Sequence, residues 1–133
     1  MNGKKRILLI TTGGTIMSVQ SANGLQPGED ENSLLRFPGS GQYDITVHSL
    51  LTLDSSNIQP EEWALIARCI YEMRGDYDGI VITHGTDTMA YTASALTFML
   101  PGIDLPVVLT GSQLPISNPL SDAPYNLRCA LEM

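Results

Sequence analysis

The sequence predicts an α/β sandwich built on a largely parallel sheet, and three observations carry that expectation. Short runs that are apolar throughout, Ile7-Leu8-Leu9-Ile10, Ile80-Val81-Ile82 and Val107-Val108-Leu109, suit strands covered on both faces. Stretches with helical spacing lie between them. Each apolar run is followed at once by a polar loop rich in threonine, serine and glycine. Strands and helices that alternate in this way build a sheet with helices on both faces.

A first strand is expected over about residues 6–11. The stretch from Ser18 to Gly41 is polar and carries the turn signals Asn23-Gly24, Pro27-Gly28 and Pro38-Gly39. A connection of that length is expected to be a mobile functional segment rather than packed structure. A second strand runs from Tyr43 to Ser49, where Ile45 and Val47 alternate with Thr46 and His48, and it extends through Leu50-Leu51-Thr52-Leu53.

The first helix is expected to start near Pro60, because proline suits the first turn and Glu61 and Glu62 complement the positive helix end. Trp63, Ile66, Ala67, Ile70 and Met73 recur at helical spacing and form its core face, and Gly75 is expected to end it as a left-handed cap. The third strand covers Gly79 to Thr83. A second helix follows from about Thr88 to Leu100, ahead of Pro101-Gly102. The fourth strand covers Pro106 to Thr110, and a loop leads to a third helix from about Asp122.

Composition narrows the function classes. At 133 residues the chain supports one core rather than two full domains. Charged residues make up 16%, below the roughly 25% of typical usage, which favours burial against a partner chain. A net charge of −7 argues against nucleic acid or an anionic membrane as partner. The basic cluster Lys4-Lys5-Arg6 reads as a solvated tail. Cys69 and Cys129 have no metal-ligand spacing and read as thiols of a reducing compartment. The four-residue apolar run near the N-terminus is too short for a signal-peptide core, so a cytoplasmic protein is expected.

Four polar loops follow the four strands: Thr11 to Thr15, Asp54 to Asn57, Thr83 to Thr88 and Thr110-Gly111-Ser112-Gln113. In open α/β sheets, ligands bind in the crevice beyond the carboxyl ends of the strands, so all four are candidates for one site. Gly13 and Gly14 lack a Cβ and let backbone amides approach a ligand, which suits an oxyanion or a carboxylate. Neither G-x-G-x-x-G nor G-x-x-x-x-G-K-[ST] occurs, so a nucleotide loop is not expected. His84 reads as a packing or hydrogen-bonding residue rather than a base.

Two of these loops carry a resemblance. Thr12-Gly13-Gly14-Thr15-Ile16 and His84-Gly85-Thr86-Asp87-Thr88-Met89 are similar to the two signature motifs of the bacterial L-asparaginase family. Asp54-Ser55-Ser56 and Thr110-Gly111-Ser112-Gln113 extend the match. The stretch Met89 to Leu96, and Ser121-Asp122 followed by Asn126-Leu127, resemble the cytoplasmic type I branch.

The resemblance implies hydrolysis of L-asparagine to L-aspartate and ammonia, with no cofactor and no metal. It implies Thr15 as the nucleophile that forms an acyl-enzyme, with Thr86 as a second catalytic threonine that also binds substrate and Asp87 as a further catalytic residue. Asp54, Ser55, Ser56 and Asp87 would hold the amino-acid head group, and backbone amides at Gly14 and Thr86 would face the oxyanion. Relatives of this type assemble as dimers or tetramers, so a homo-oligomer is expected.

Two departures qualify the match. Leu25 occupies the place where the family carries a tyrosine in the loop after the first motif. The family's relay also includes a lysine from a later part of the domain, whereas the lysines here are Lys4 and Lys5, both before the first strand. The sequence stops inside a helical pattern at Leu131-Glu132-Met133. Residues 1–133 are therefore expected to be an incomplete N-terminal asparaginase α/β domain, poorly active alone. The alternatives are the glutamine-hydrolysing, asparaginase-like subunit of a tRNA-dependent amidotransferase and a non-catalytic amino-acid-binding module.

Overall fold

The computed structural model describes residues 3–27 and 31–133. Its strands are β1 (Lys5–Gly13), β2 (Ser18–Ser21), β3 (Gly24–Pro27), β4 (Tyr43–Leu53), β5 (Gly79–Thr83) and β6 (Val107–Thr110). Four of them form a central parallel sheet in the order β4-β1-β5-β6. The helices are α1 (Pro60–Met73), α2 (Met89–Met99) and α3 (Ala123–Glu132). The α/β sandwich with a parallel sheet thus forms as expected.

Strand alternation divides the core into two layers. Leu8 and Ile10 of β1, with Ile80 and Ile82 of β5, face Ile66, Ile70, Leu96 and Leu100 from α1, α2 and the residue that ends α2. Ile7, Leu9 and Val81 face the opposite way, toward Ala123, Leu127 and Ala130 of α3. β1 and β5 occupy the middle of the sheet and are buried on both faces, which explains why they read as unbroken apolar runs. β4 lies at one edge and alternates between exposed and half-buried side chains.

Local chemistry sets the start of α1. Gln59 accepts from the N3 backbone while Glu62 accepts from the Gln59 amide at 2.8 Å, a reciprocal cap reinforced by Pro60 in the first turn. Ile66, Ala67 and Ile70 are buried, and Trp63 and Met73 half-buried, on the expected face. Its end departs from expectation. Gly75 has no positive φ and caps nothing; the helix tightens into a 3-10 turn over Arg74–Asp76.

The connection after β1 also differs. β2 and β3 pair as an antiparallel hairpin whose turn carries the Asn23-Gly24 signal. Glu31–Leu35 and Ser40–Gln42 form 3-10 turns. Leu34 is fully buried and Phe37 is 5% exposed, both in the core on the α3 side. Two buried apolar side chains anchor the segment as packed structure, against the expectation of a loose one. The Leu25 side chain lies outside the described residues.

The route of the chain creates a crevice. After β1 the chain runs to the α3 side of the sheet, where Ile16, Leu34 and Phe37 are buried. After β5 it runs to the opposite side, where Leu96 of α2 is buried. Adjacent parallel strands whose connections leave to opposite faces open a gap at their carboxyl ends. β1 and β5 are such a pair, with Thr11 beside Thr83 in register.

Two backbone features close the sides of that gap. The Thr12 hydroxyl donates to the Thr83 carbonyl at 2.7 Å, and both residues are buried. Beyond it, Gly14 (φ 83°) lies directly against Gly85, so that a Cβ on Gly14 would sit 2.7 Å from the Gly85 nitrogen. A Cβ on Gly85 would in turn sit 2.6 Å from the Ser55 Cβ. Only hydrogens fit at these two positions. Gly14→Ala and Gly85→Ala should each cost about 2–4 kcal/mol in urea denaturation, from overpacking and, at Gly14, positive φ as well. Gly75→Ala, with open space around it and an ordinary φ, should stay within about 0.5 kcal/mol.

Candidate active site

The crevice between the β1 and β5 ends is a cavity of about 260 Å³. Thr15, Asp54, Ser55, Thr86 and Asp87 line it, with backbone from Gly13, Gly14 and Gly85. Residues from three separate loops therefore converge on one space. Two other hollows, about 240 Å³ beneath α3 and about 400 Å³ between α2 and β6, lack such a convergence of hydroxyls and carboxylates.

Each loop is held by contacts that its sequence provides. Thr15 opens a 3-10 turn, Thr15–Met17, that begins at Gly14, and Ser18 donates its hydroxyl to the Gly14 carbonyl at 3.0 Å. Ile16 beneath it is fully buried, so Thr15 is fixed at the surface end of a packed turn. The pairing of β1 with β4 slips between Thr11 and Gly13, where Thr11 faces Ser49 but Gly13 already faces Leu53. This bulge brings the end of β4, and with it Asp54, into the crevice.

Asp54 caps the short turn Ser55–Asn57 by accepting the Ser56 amide at 3.0 Å. Hydrogen bonds from the Ser56 amide and then the Ser56 hydroxyl hold the Asp54 carboxyl below its ordinary value, with desolvation a smaller opposing effect. Asp54 is consequently an anion at neutral pH. The Thr88 hydroxyl donates to the Ser55 carbonyl at 2.8 Å, which ties the β4 loop to the β5 loop. Ser56 itself does not line the cavity. Its amide serves Asp54 instead.

Thr86 and Asp87 reach the cavity mouth, while Thr15 is half-buried. Among the described residues neither the Thr15 nor the Thr86 hydroxyl has a hydrogen-bond partner within the protein. Both are available to a ligand. Two carboxylates and two free hydroxyls around cavity-lining glycine backbone form a surface of mixed polarity, suited to a small zwitterion. Among the described residues no group of three histidine, cysteine or acidic side chains gathers to hold a metal ion.

The fourth polar loop behaves differently from the other three. Thr110-Gly111-Ser112-Gln113 does not reach the cavity; the Asp122 carboxylate accepts the Gln113 and Leu114 amides, and the Asn126 amide donates to the Gly111 carbonyl at 2.9 Å. Burial alone would raise the Asp122 carboxyl, but those amides together pull it below its ordinary value. The loop acts as a buttress: the Thr110 carbonyl accepts the His84 amide at 2.9 Å. Ser18, Thr52 and Met17 line the cavity without having stood out in the sequence. For Ser18 the available signal was a hydroxyl four residues beyond a glycine turn.

His84 lies under the β5 loop and is 1% exposed. Its Nδ1 is 2.7 Å from the Gly85 carbonyl and its Nε2 is 2.9 Å from the Thr92 hydroxyl, which also accepts the Trp63 indole N–H at 2.8 Å. Burial pushes the imidazole pKa below its ordinary 6.5, with the Gly85 carbonyl partly opposing.

Known proteins share this fold and much of this sequence. Residues 6–133 match the family model described as asparaginase, N-terminal. The chain is 50% identical over 129 residues to an L-asparaginase of Thermococcus kodakarensis, covering 95% of this chain and 39% of that one. It is 41% identical to a glutamyl-tRNA(Gln) amidotransferase subunit of Methanosphaera stadtmanae, covering 96% of this chain and 30% of that one. The crystal structure of L-asparaginase I from Vibrio cholerae superimposes with a TM-score of 0.88 at 40% identity, over 96% of this chain and 40% of that one.

The fold is thus an α/β domain with a four-stranded parallel sheet, shared with solved asparaginase structures. The chain belongs to the asparaginase family and matches its N-terminal part, spanning about 40% of the length of its L-asparaginase relatives.

The His84 environment makes a stability prediction. The unfolded imidazole takes up a proton as the pH falls through about 6.5, whereas the folded one resists until lower pH. The stability linked to His84 is therefore complete above that value and is lost as the pH falls toward the folded pKa. Urea midpoints should decline as the pH falls below about 6.5, and His84→Asn should flatten that decline. Asp54 and Asp122 act in a separate window, below their ordinary value of 3.8.

Proposed function

We propose that this chain supplies the nucleophile and the substrate-binding groups of an L-asparaginase site. The observation that carries the reading is the convergence of Thr15, Thr86, Asp87, Asp54 and Ser55 on one cavity at the β1/β5 crevice. The Thr15 oxygen attacks the side-chain amide carbon of L-asparagine. The carbonyl electrons move onto oxygen, where the Gly14 and Thr86 amides stabilise them. Collapse of the adduct expels the amide nitrogen, which leaves as ammonia after receiving a proton, and Thr15 remains acylated. Water then adds to the ester and releases L-aspartate with the Thr15 hydroxyl restored.

Asp54 and Asp87 bind the substrate ammonium, Ser55 serves the α-carboxylate, and Ser56 acts by holding Asp54. The same zwitterion is present in substrate and product, so the site holds both. The stronger identity to an L-asparaginase, 50% against 41% for the amidotransferase relative, favours asparagine over glutamine as the amide. The free thiols of Cys69 and Cys129 favour a reducing, cytoplasmic location. Exposed Phe98 and Leu120 on the surface favour a homo-oligomer.

A threonine hydroxyl needs a base or relay to lose its proton at neutral pH. The lysines of this sequence, Lys4 and Lys5, sit at the start of β1, and the site lies at its end. A nine-residue strand spans roughly 30 Å, which puts both lysines out of reach. Residues 1–133 therefore act as an N-terminal asparaginase domain that binds well and turns over slowly.

Calorimetry with L-aspartate and an ammonia assay with L-asparagine test both statements on the 133-residue chain. Binding of aspartate is expected, with Asp87→Asn weakening it by about tenfold or more through loss of a charged hydrogen bond. Thr15→Ala should abolish the slow ammonia release and spare most binding. Undiminished release by that variant would overturn the nucleophile assignment, and absence of aspartate binding would overturn the site.

A further inference from the structure

The hydrogen-bond chain beneath the β5 loop has its direction set at both ends. The Trp63 indole has only a donor, so it must donate to the Thr92 oxygen. The Gly85 carbonyl has only lone pairs, so His84 Nδ1 must carry the proton that meets it. A neutral imidazole then presents Nε2 as an acceptor, and the Thr92 hydroxyl donates to it. Every donor and acceptor in the chain is used once, and no other tautomer satisfies all three bonds. Thr92 is fully buried and β-branched, so its hydroxyl is held by a stiff side chain on α2.

The network ends on a peptide of the candidate site. Gly85 and Thr86 line the cavity, while His84 is buried behind them. A trans peptide carries its carbonyl and N–H on opposite edges. Holding the Gly85 carbonyl against His84 turns the Thr86 N–H away from the imidazole, to the cavity side of the loop. We propose that His84, oriented by Thr92 and Trp63, is a positioning residue that fixes the Gly85–Thr86 peptide and presents the Thr86 amide to the ligand. This rests on the reading of the cavity as an amino-acid site. Asparagine hydrolysis then depends on α1 and α2 packing correctly behind the loop as well as on groups that touch substrate.

Nitrogen-15 NMR of the 133-residue chain tests the proposal, with L-aspartate as the probe. The wild-type His84 should show a protonated Nδ1 and an unprotonated Nε2; the opposite tautomer overturns the proposal without any variant. His84→Asn keeps an N–H donor where Nδ1 lies, whereas His84→Leu removes it. The first should leave the Thr86 amide signal near its wild-type position. The second should move that signal and weaken aspartate binding by about tenfold. Thr92→Val should move the His84 and Thr86 signals together, with Thr92→Ser restoring them, and Trp63→Phe should move them less. A role in stability alone predicts lower unfolding midpoints with the Thr86 signal and aspartate affinity unchanged in folded His84→Leu and Thr92→Val, and that result refutes positioning. If the wild-type chain does not bind aspartate, the functional reading fails, while the Thr86 signal in these variants still decides whether His84 sets the peptide.

Discussion

The structure depends on one close approach of backbone to backbone, between Gly14 at the end of β1 and Gly85 at the end of β5. A Cβ at Gly14 would fall within 2.7–2.8 Å of Gly85 backbone atoms, so the two loops meet at a separation that only glycine permits. The Thr12 hydroxyl on the Thr83 carbonyl seals the same junction from below. Thr15 follows Gly14 by one residue and Thr86 follows Gly85 by one. The glycine contact therefore sets how far apart the two threonines stand, and Ser55, packed on Gly85, sets the third side.

The polar groups around this junction divide by their place in the fold. Thr86, Asp87 and Asp54 face the cavity and remain available to a ligand. Of the buried ones, Thr12, His84 and Thr92 are consumed in hydrogen bonds to backbone or to one another, whereas the Thr83 hydroxyl has no partner. A buried polar group left unpaired is costly, whereas a satisfied network confers a unique geometry. The chain from Trp63 to Gly85 is of the second kind, since its direction follows from the chemistry of its end groups. Trp63 and Thr92 belong to helices that contribute no residue to the cavity lining.

The strands and helices were legible because burial on both faces leaves an unmistakable apolar run, as in Ile80-Val81-Ile82, and because Pro60 with Glu62 marks a helix start. The packed connection after β1 was missed because Ser18 to Pro27 carries little apolar alternation, while the buried Leu34 and Phe37 come later in the chain. Gly75 was misread for a different reason. Glycine after a helix permits a left-handed cap without requiring one, and here the helix tightens instead. The loop from Thr110 to Gln113 looked like its three neighbours, yet Asp122, 9 residues beyond Gln113, draws it toward α3 and away from the cavity.

What the sequence by itself determined was the chain order of the four central-sheet strands and the three helices, and the polar, hydroxyl-rich character of the strand-end loops. These depend on local pattern, since apolar periodicity and turn residues act within a few positions of one another. Only the tertiary structure decided which loops share a cavity, that Ser56 supports Asp54 rather than lining the space, and that His84 belongs to a directed chain ending on Gly85. Those outcomes arise from contacts between residues as far apart as Thr12 and Thr83, where strand register and glycine backbone packing, not local preference, set the distance.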